Sequence, residues 1–227
     1  MAASSVLDAI RPFHLSISQS DLDDLQTRLR LARWPPKETV TDRSQGAPLA
    51  AIKDLCSYWQ EQYDWRRCEA LLNSYPQFTT SIDSVEIYFL HIRSKHENAL
   101  PLLITHGWPG SILEFRHVIE KLVNPEAPED AFHLVIPALP GYAFSEKPEE
   151  TGWGIERTAR AWAELMQRLG YADAEGGWAA QGGDWGAHAT ACLGQQAPKG
   201  LKGVHFNSLY FEPKVRETRN QHLHVDG

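Results

Sequence analysis

The sequence predicts an α/β fold with a mostly helical amino-terminal leader, and three observations predict it. Short apolar runs starting near Leu100, Phe132, Trp178 and Leu201 are each separated from the next by a helix-length segment. The hydrophobic period changes from helical to alternating near residue 80. Glycine-rich polar clusters, His106–Gly110 and Gly182–Gly186, fall at the carboxyl ends of two of the apolar runs. Strands alternating with helices imply right-handed crossovers and a mainly parallel sheet, whose functional loops lie beyond the carboxyl ends of its strands.

The elements follow in order. Residues 18–33 read as a helix: Ser18 or Ser20 caps it, Asp21, Asp23 and Asp24 suit its positive end, and Leu22, Leu25, Leu29 and Ala32 recur at helical spacing. Pro35-Pro36 stops it, and residues 37–48 form a surface connection. Helices are expected over residues 49–63, with Leu49, Ile52, Leu55, Tyr58 and Trp59 on one side, and over 64–73. Residues 82–93 alternate, Val85, Ile87 and Phe89 against Glu86, Tyr88 and Leu90, which suits a strand at a sheet edge or one covered on both faces. Strands are then expected at 100–105, 132–136, 178–181 and 201–206, and helices at 111–122, 155–169 and 185–196.

Composition narrows the function classes. Hydrophobic residues make up 42% and charged residues 22% of 227, as in a soluble globular protein. A net charge of -7, with no basic run longer than Arg66-Arg67, gives no electrostatic footprint for nucleic acid or an anionic membrane. The apolar runs are too short to span a bilayer, which needs ~20 residues. The amino terminus lacks the basic start and apolar segment of a secretory signal, so a cytoplasmic location is the default expectation. Cys56, Cys68 and Cys192 are too few and too scattered for a disulfide scaffold or a four-thiolate metal cluster, and His106, His188 and Asp184 do not have metal-ligand spacing.

The most informative stretch is Gly182-Gly183-Asp184-Trp185-Gly186. Small residues two positions either side of Asp184, between a strand and a helix, fit a nucleophile elbow, where a sharply bent backbone presents the reactive side chain above the sheet. The plainer reading makes Asp184 an ordinary helix N-cap. Its place after a buried strand, together with the matching upstream motif, favours the nucleophile. A carboxylate attacks a strained epoxide carbon or a halide-bearing carbon to give an alkyl ester, and water must then hydrolyse that ester. Upstream, Gly107 permits a tight turn, Pro109 fixes the backbone, and the Trp108 amide stays available to pair with the Trp185 amide as an oxyanion donor.

The sequence resembles epoxide hydrolases of the microsomal and juvenile-hormone type, in which an amino-terminal region precedes an α/β-hydrolase core. The resemblance rests on Trp34-Pro35, Tyr75-Pro76-Gln77-Phe78, His106-Gly107-Trp108-Pro109-Gly110-Ser111, the run from Pro137 to Ser145, and Gly182-Gly183-Asp184-Trp185-Gly186, and covers about residues 10–210. It implies Asp184 as nucleophile, Trp108 and Trp185 as main-chain oxyanion donors and pocket walls, and no cofactor. His106 is expected to brace its loop and His188 to be structural. Tyr142 and Phe144, in the rigid Pro137–Ser145 loop, are candidate lining residues. One departure is Asp83-Ser84, where a glycine is expected before the first core strand.

The implied organisation is an amino-terminal region at 1–80, the front half of an incomplete α/β-hydrolase core at 81–210, and the start of a cap or a disordered tail at 211–227. The implied activity is cofactor-free hydrolysis of an apolar epoxide to a vicinal diol. The resemblance also implies cap tyrosines and an acid–His pair from later sequence, so the chain alone is expected to turn over poorly; His222, His224 and Asp226 are expected to be solvated in the tail. Haloalkane dehalogenation by the same carboxylate, and a non-catalytic truncated product or pseudoenzyme, are the alternatives. Homo-oligomerisation stays open.

Overall fold

In the computed structural model, residues 9–208 are described. They form a seven-stranded sheet in the order β1-β2-β3-β5-β4-β6-β7. The strands are β1 (Arg11–Pro12), β2 (Gln77–Ile82), β3 (Val85–Ile92), β4 (Leu100–Thr105), β5 (Phe132–Pro137), β6 (Trp178–Gly182) and β7 (Leu201–Phe206). The helices are α1 (Gln19–Arg30), α2 (Leu49–Glu61), α3 (Trp65–Asn73), α4 (Ile119–Val123), α5 (Ile155–Arg168) and α6 (Trp185–Gln196).

The expected elements lie where their patterns put them, with three differences. The sheet is mixed: β5, β4, β6 and β7 run parallel, but β1, β2 and β3 join antiparallel. The leader therefore supplies two strands as well as three helices. Its Gln77–Ile82 strand is not expected from the sequence; it is rich in polar residues, yet Gln77, Thr79 and Thr80 are buried because the ladder to β3 satisfies their backbone. The third difference is the predicted helix at 111–122, which divides into a 3-10 turn, Ile112–Phe115, and the short α4.

Alternation on the strands sorts side chains into two layers. Ile87, Phe89, Leu103 and Val135 face α5 and α6, where Trp162, Leu165 and Leu193 cover them. Tyr88, Leu90, Ile104, Leu134 and Ile136 face the other way, against Leu72 of α3 and Ile119 and Val123 of α4. Strand β3 is thus covered on both faces rather than lying at an edge. Trp162 and Trp178 are fully buried, and burying one large apolar side chain contributes about 1.5–3 kcal/mol. Asp83 and Ser84, where glycine was expected, make the two-residue turn between β2 and β3 with positive φ, 49° and 65°. Asp83 also pairs with Arg157 at 3.1 Å, which ties the turn to α5.

Helices α1 and α2 bury no residue, and Leu55, Tyr58 and Trp59 on α2 are exposed. Ser18 caps α1 as expected, accepting from the Asp21 amide. His222, His224 and Asp226, with the segment 211–227, lie outside the described residues.

Candidate active site

Parallel strands β4 and β6 pair from Leu102↔Ala179 to Thr105↔Gly182, so their carboxyl ends deliver the His106–Gly110 loop and the Asp184 turn side by side. Glycines make the approach close. A Cβ on Gly186 would run into the Thr105 carbonyl, and one on Gly182 into the Gly186 carbonyl, so α6 presses on the sheet where only glycine fits. A Cβ on Gly107 would occupy the space of the Asp184 side chain.

Asp184 has φ 52° and ψ -126°, a backbone conformation L-residues rarely adopt. Such strain costs on the order of 1–3 kcal/mol and persists where the surroundings enforce it. Asp184 occupies the N-cap position of α6, yet its side chain makes no capping hydrogen bond. The Trp108 amide donates to its Oδ1 at 2.7 Å instead. That bond, with the Trp185 amide acting in the same direction, holds the Asp184 carboxyl below the ordinary carboxylate range. A simple cap would satisfy its own helix; this carboxylate is shared with a neighbouring loop.

Trp108 is 65% exposed and Trp185 49%, so both indoles stand at the rim of the site while their amides point inward. His106 is fully buried. Its Nε2 accepts from the Leu139 amide at 3.1 Å, which leaves the proton on Nδ1 to be donated to the Gly107 carbonyl at 3.0 Å. Burial lowers its pKa, so the ring is a neutral brace between this loop and the loop after β5. The His188 ring packs on Trp185, 5.4 Å between centroids.

Two unlike clefts flank the Asp184 turn. On one side an apolar groove of about 320 Å³ is lined by Leu139, Pro140, Tyr142, Trp153, Ile155 and Trp185, among others. On the other a cleft of about 580 Å³ brings Glu114, Gln181 and Asn207 together with Trp108 and Asp184. Tyr142 thus lies beside Trp185, with its ring edge-on to His106. Phe144 lies elsewhere: it packs with Phe13 and Tyr88 at centroid distances of 5.7 and 5.2 Å, in the core layer under the leader, and lines neither cleft.

Glu114, Gln181 and Asn207 were not singled out from the sequence. The signal at Glu114 was masked, because Ser111-Ile112-Leu113-Glu114 has the form of a capping box. In the structure its carboxyl reaches back to the loop instead, and its Oε2 lies 2.6 Å from where a Cβ on Gly110 would sit. Burial pushes the Glu114 carboxyl up, a backbone hydrogen bond at Gly107 opposes this, and the charge of Asp184 adds to the rise. Among the described residues, no group of three or more His, Cys, Asp or Glu side chains is arranged to hold a metal ion.

A strained strand-to-helix turn above parallel strands, with neighbouring amides aimed at its side chain, defines the α/β class that carries its functional residue on an elbow. Comparison with known families makes this specific. The alpha/beta hydrolase fold family matches residues 101–221, and the chain belongs to that family. The family described as epoxide hydrolase N terminus matches residues 10–115. A Stigmatella aurantiaca (strain DW4/3-1) protein with a provisional epoxide hydrolase name is 53% identical over 214 residues, 92% of this chain and 48% of that one. Among solved structures, the Aspergillus niger epoxide hydrolase aligns at TM-score 0.80 and 36% identity, over 92% of this chain and 55% of that one. The juvenile hormone epoxide hydrolase of the silkworm Bombyx mori aligns at TM-score 0.79 and 32% identity, over 88% and 53%. The resemblance read from the motifs is thereby borne out. The chain spans about half the length of these relatives, and no described helix is long and apolar enough to cross a membrane.

Proposed function

We propose that this chain supplies the nucleophile half of an epoxide hydrolase that opens an apolar epoxide to a vicinal diol through a covalent ester on Asp184. The observation that carries the reading is the Asp184 carboxylate itself, held ionised on a strained turn by the Trp108 amide and placed beside an apolar groove. An Asp184 oxygen attacks an epoxide carbon, the carbon–oxygen bond breaks, and the ring oxygen takes a proton to become a hydroxyl. Water then adds to Cγ of the ester, the resulting oxyanion is held by the Trp108 and Trp185 amides, and collapse releases the diol. Trp185 and Tyr142 offer the apolar surface for the rest of the substrate.

The similarity to epoxide hydrolases over both halves of the chain supports this reading over haloalkane dehalogenation. The resemblance assigns the proton donor and the acid–His pair to later segments of the family's sequence. General acid or base assistance is worth ~10²–10⁴-fold per step, so residues 1–227 by themselves are expected to alkylate but to turn over slowly.

The test is mass spectrometry after exposure to an apolar epoxide, with an equal arm using a haloalkane. One adduct on the peptide carrying Asp184, absent from Asp184→Ala, is expected. Undiminished labelling of Asp184→Ala would rule out the nucleophile, and halide release without epoxide opening would transfer the assignment to dehalogenation.

A further inference from the structure

The two sides of the Asp184 turn are lined by different residues. The Trp185 side is apolar, and the other side gathers a carboxyl and two amides: Glu114, Gln181 and Asn207. An apolar substrate and the water that later releases it need opposite surroundings, since an ordered water wants two to four polar partners. The Glu114 Oε2 lies 2.6 Å from where a Cβ on Gly110 would sit, and the Asn207 Oδ1 lies 2.7 Å from where a Cβ on Gly183 would sit. Glu114 reaches the cleft from the 3-10 turn that follows the Trp108 loop, and Asn207 from the residue after β7.

We propose that Glu114 positions the hydrolytic water against the Asp184 ester from this cleft, with the Gln181 amide donating to the water's remaining lone pair and Asn207 closing the cleft beside it. The role rests on the reading that Asp184 forms the ester. Glu114 accepts one O–H of the water, which turns the oxygen lone pair toward Cγ; the proton lost from water as the new bond forms leaves through its other O–H, to the imidazole of the acid–His pair that the resemblance assigns to later sequence.

The electrostatics fit this sequence of events. While Asp184 is ionised, its charge and the burial of Glu114 both favour a protonated Glu114. Alkylation turns Asp184 into a neutral ester and removes that charge, so Glu114 ionises more readily when an acceptor for water is needed. The other titratable groups nearby are already engaged. His106 is turned inward with both ring nitrogens bonded, His188 lies against Trp185, and Arg116 reaches the Leu113 carbonyl.

The experiment follows the two steps separately in the chain at its natural length: adduct growth and adduct decay at Asp184, by quenched mass spectrometry across pH. Glu114→Gln is expected to alkylate within about twofold of wild type and to lose adduct at least about tenfold more slowly, since a misplaced reacting group costs on that scale or more. The wild-type decay rate should also rise with pH through the titration of Glu114, and that limb should vanish in Glu114→Gln but persist in Glu114→Asp. Should Glu114→Gln fold poorly, Gln181→Met tests the same water from its other partner and should slow decay selectively. Equal slowing of both steps, or unchanged decay with an unchanged pH profile, overturns the Glu114 role and leaves the nucleophile standing. A wild-type protein that forms no adduct at Asp184 overturns the ester reading, and the water role falls with it.

Discussion

Gly107→Ala tests the coupling between the two loops most directly. The added methyl would occupy the space of the Asp184 side chain, with Cγ of Asp184 only 2.7 Å from the new carbon. Either Asp184 rotates away or the 106–110 loop moves outward, and the outward path is open because Trp108 and Pro109 are exposed. Both movements break the 2.7 Å bond from the Trp108 amide to Asp184. That bond also orients the attacking carboxylate, and a misplaced reacting group costs about tenfold or more, so the expected loss is about tenfold in alkylation rate. Losing the bond also raises the Asp184 pKa from its lowered position, so the acid limb of the alkylation rate moves to higher pH. Thermal stability should fall little, because the displaced loop meets solvent rather than packed core. Quenched mass spectrometry of the Asp184 adduct between pH 3 and 8 measures both effects. Wild-type alkylation with an unmoved acid limb would refute the claim that the two loops meet at Asp184.

Two further predictions concern stability. The His91 ring is bonded to the Tyr171 hydroxyl at 2.7 Å, and burial, helped by the charges of Arg93 and His133, lowers its pKa to about 4 from 6.5. The unfolded chain binds the proton first, so stability from this site is present above about pH 6.5 and is lost as pH falls toward 4; denaturant titrations at pH 7.5 and 5 should show the decline, and His91→Gln should flatten it. At the β2–β3 turn, Ser84 sits at φ 65°. Ser84→Gly relieves a left-handed conformation that costs an L-residue ~1–2 kcal/mol, offset in part by the added freedom of the unfolded chain, so a gain of up to about 1 kcal/mol is expected by the same titration.

The sequence by itself determined the alternating α/β order, the strand-to-helix turn at Asp184 and the facing loop at Trp108. Each depends on local chemistry: period, glycine spacing, and a proline or cap at an element's end. Tertiary structure decided what depends on distant partners. The polar segment Gln77–Ile82 became a strand because β3 satisfies its backbone, making the sheet mixed rather than mainly parallel. The helix expected from 111 to 122 broke in two after Phe115. Phe144 was drawn into the core beside Phe13 and Tyr88 because apolar area is buried wherever a partner surface is offered, and a local pattern of Pro, Gly and aromatics does not say which surface that is. Glu114 was not singled out, because its spacing to Ser111 has the form of an ordinary capping box, and only the fold places it in the cleft beside Asp184. His106 shows both sides at once: its motif placed it in the loop, and burial with two ring hydrogen bonds made it a neutral brace.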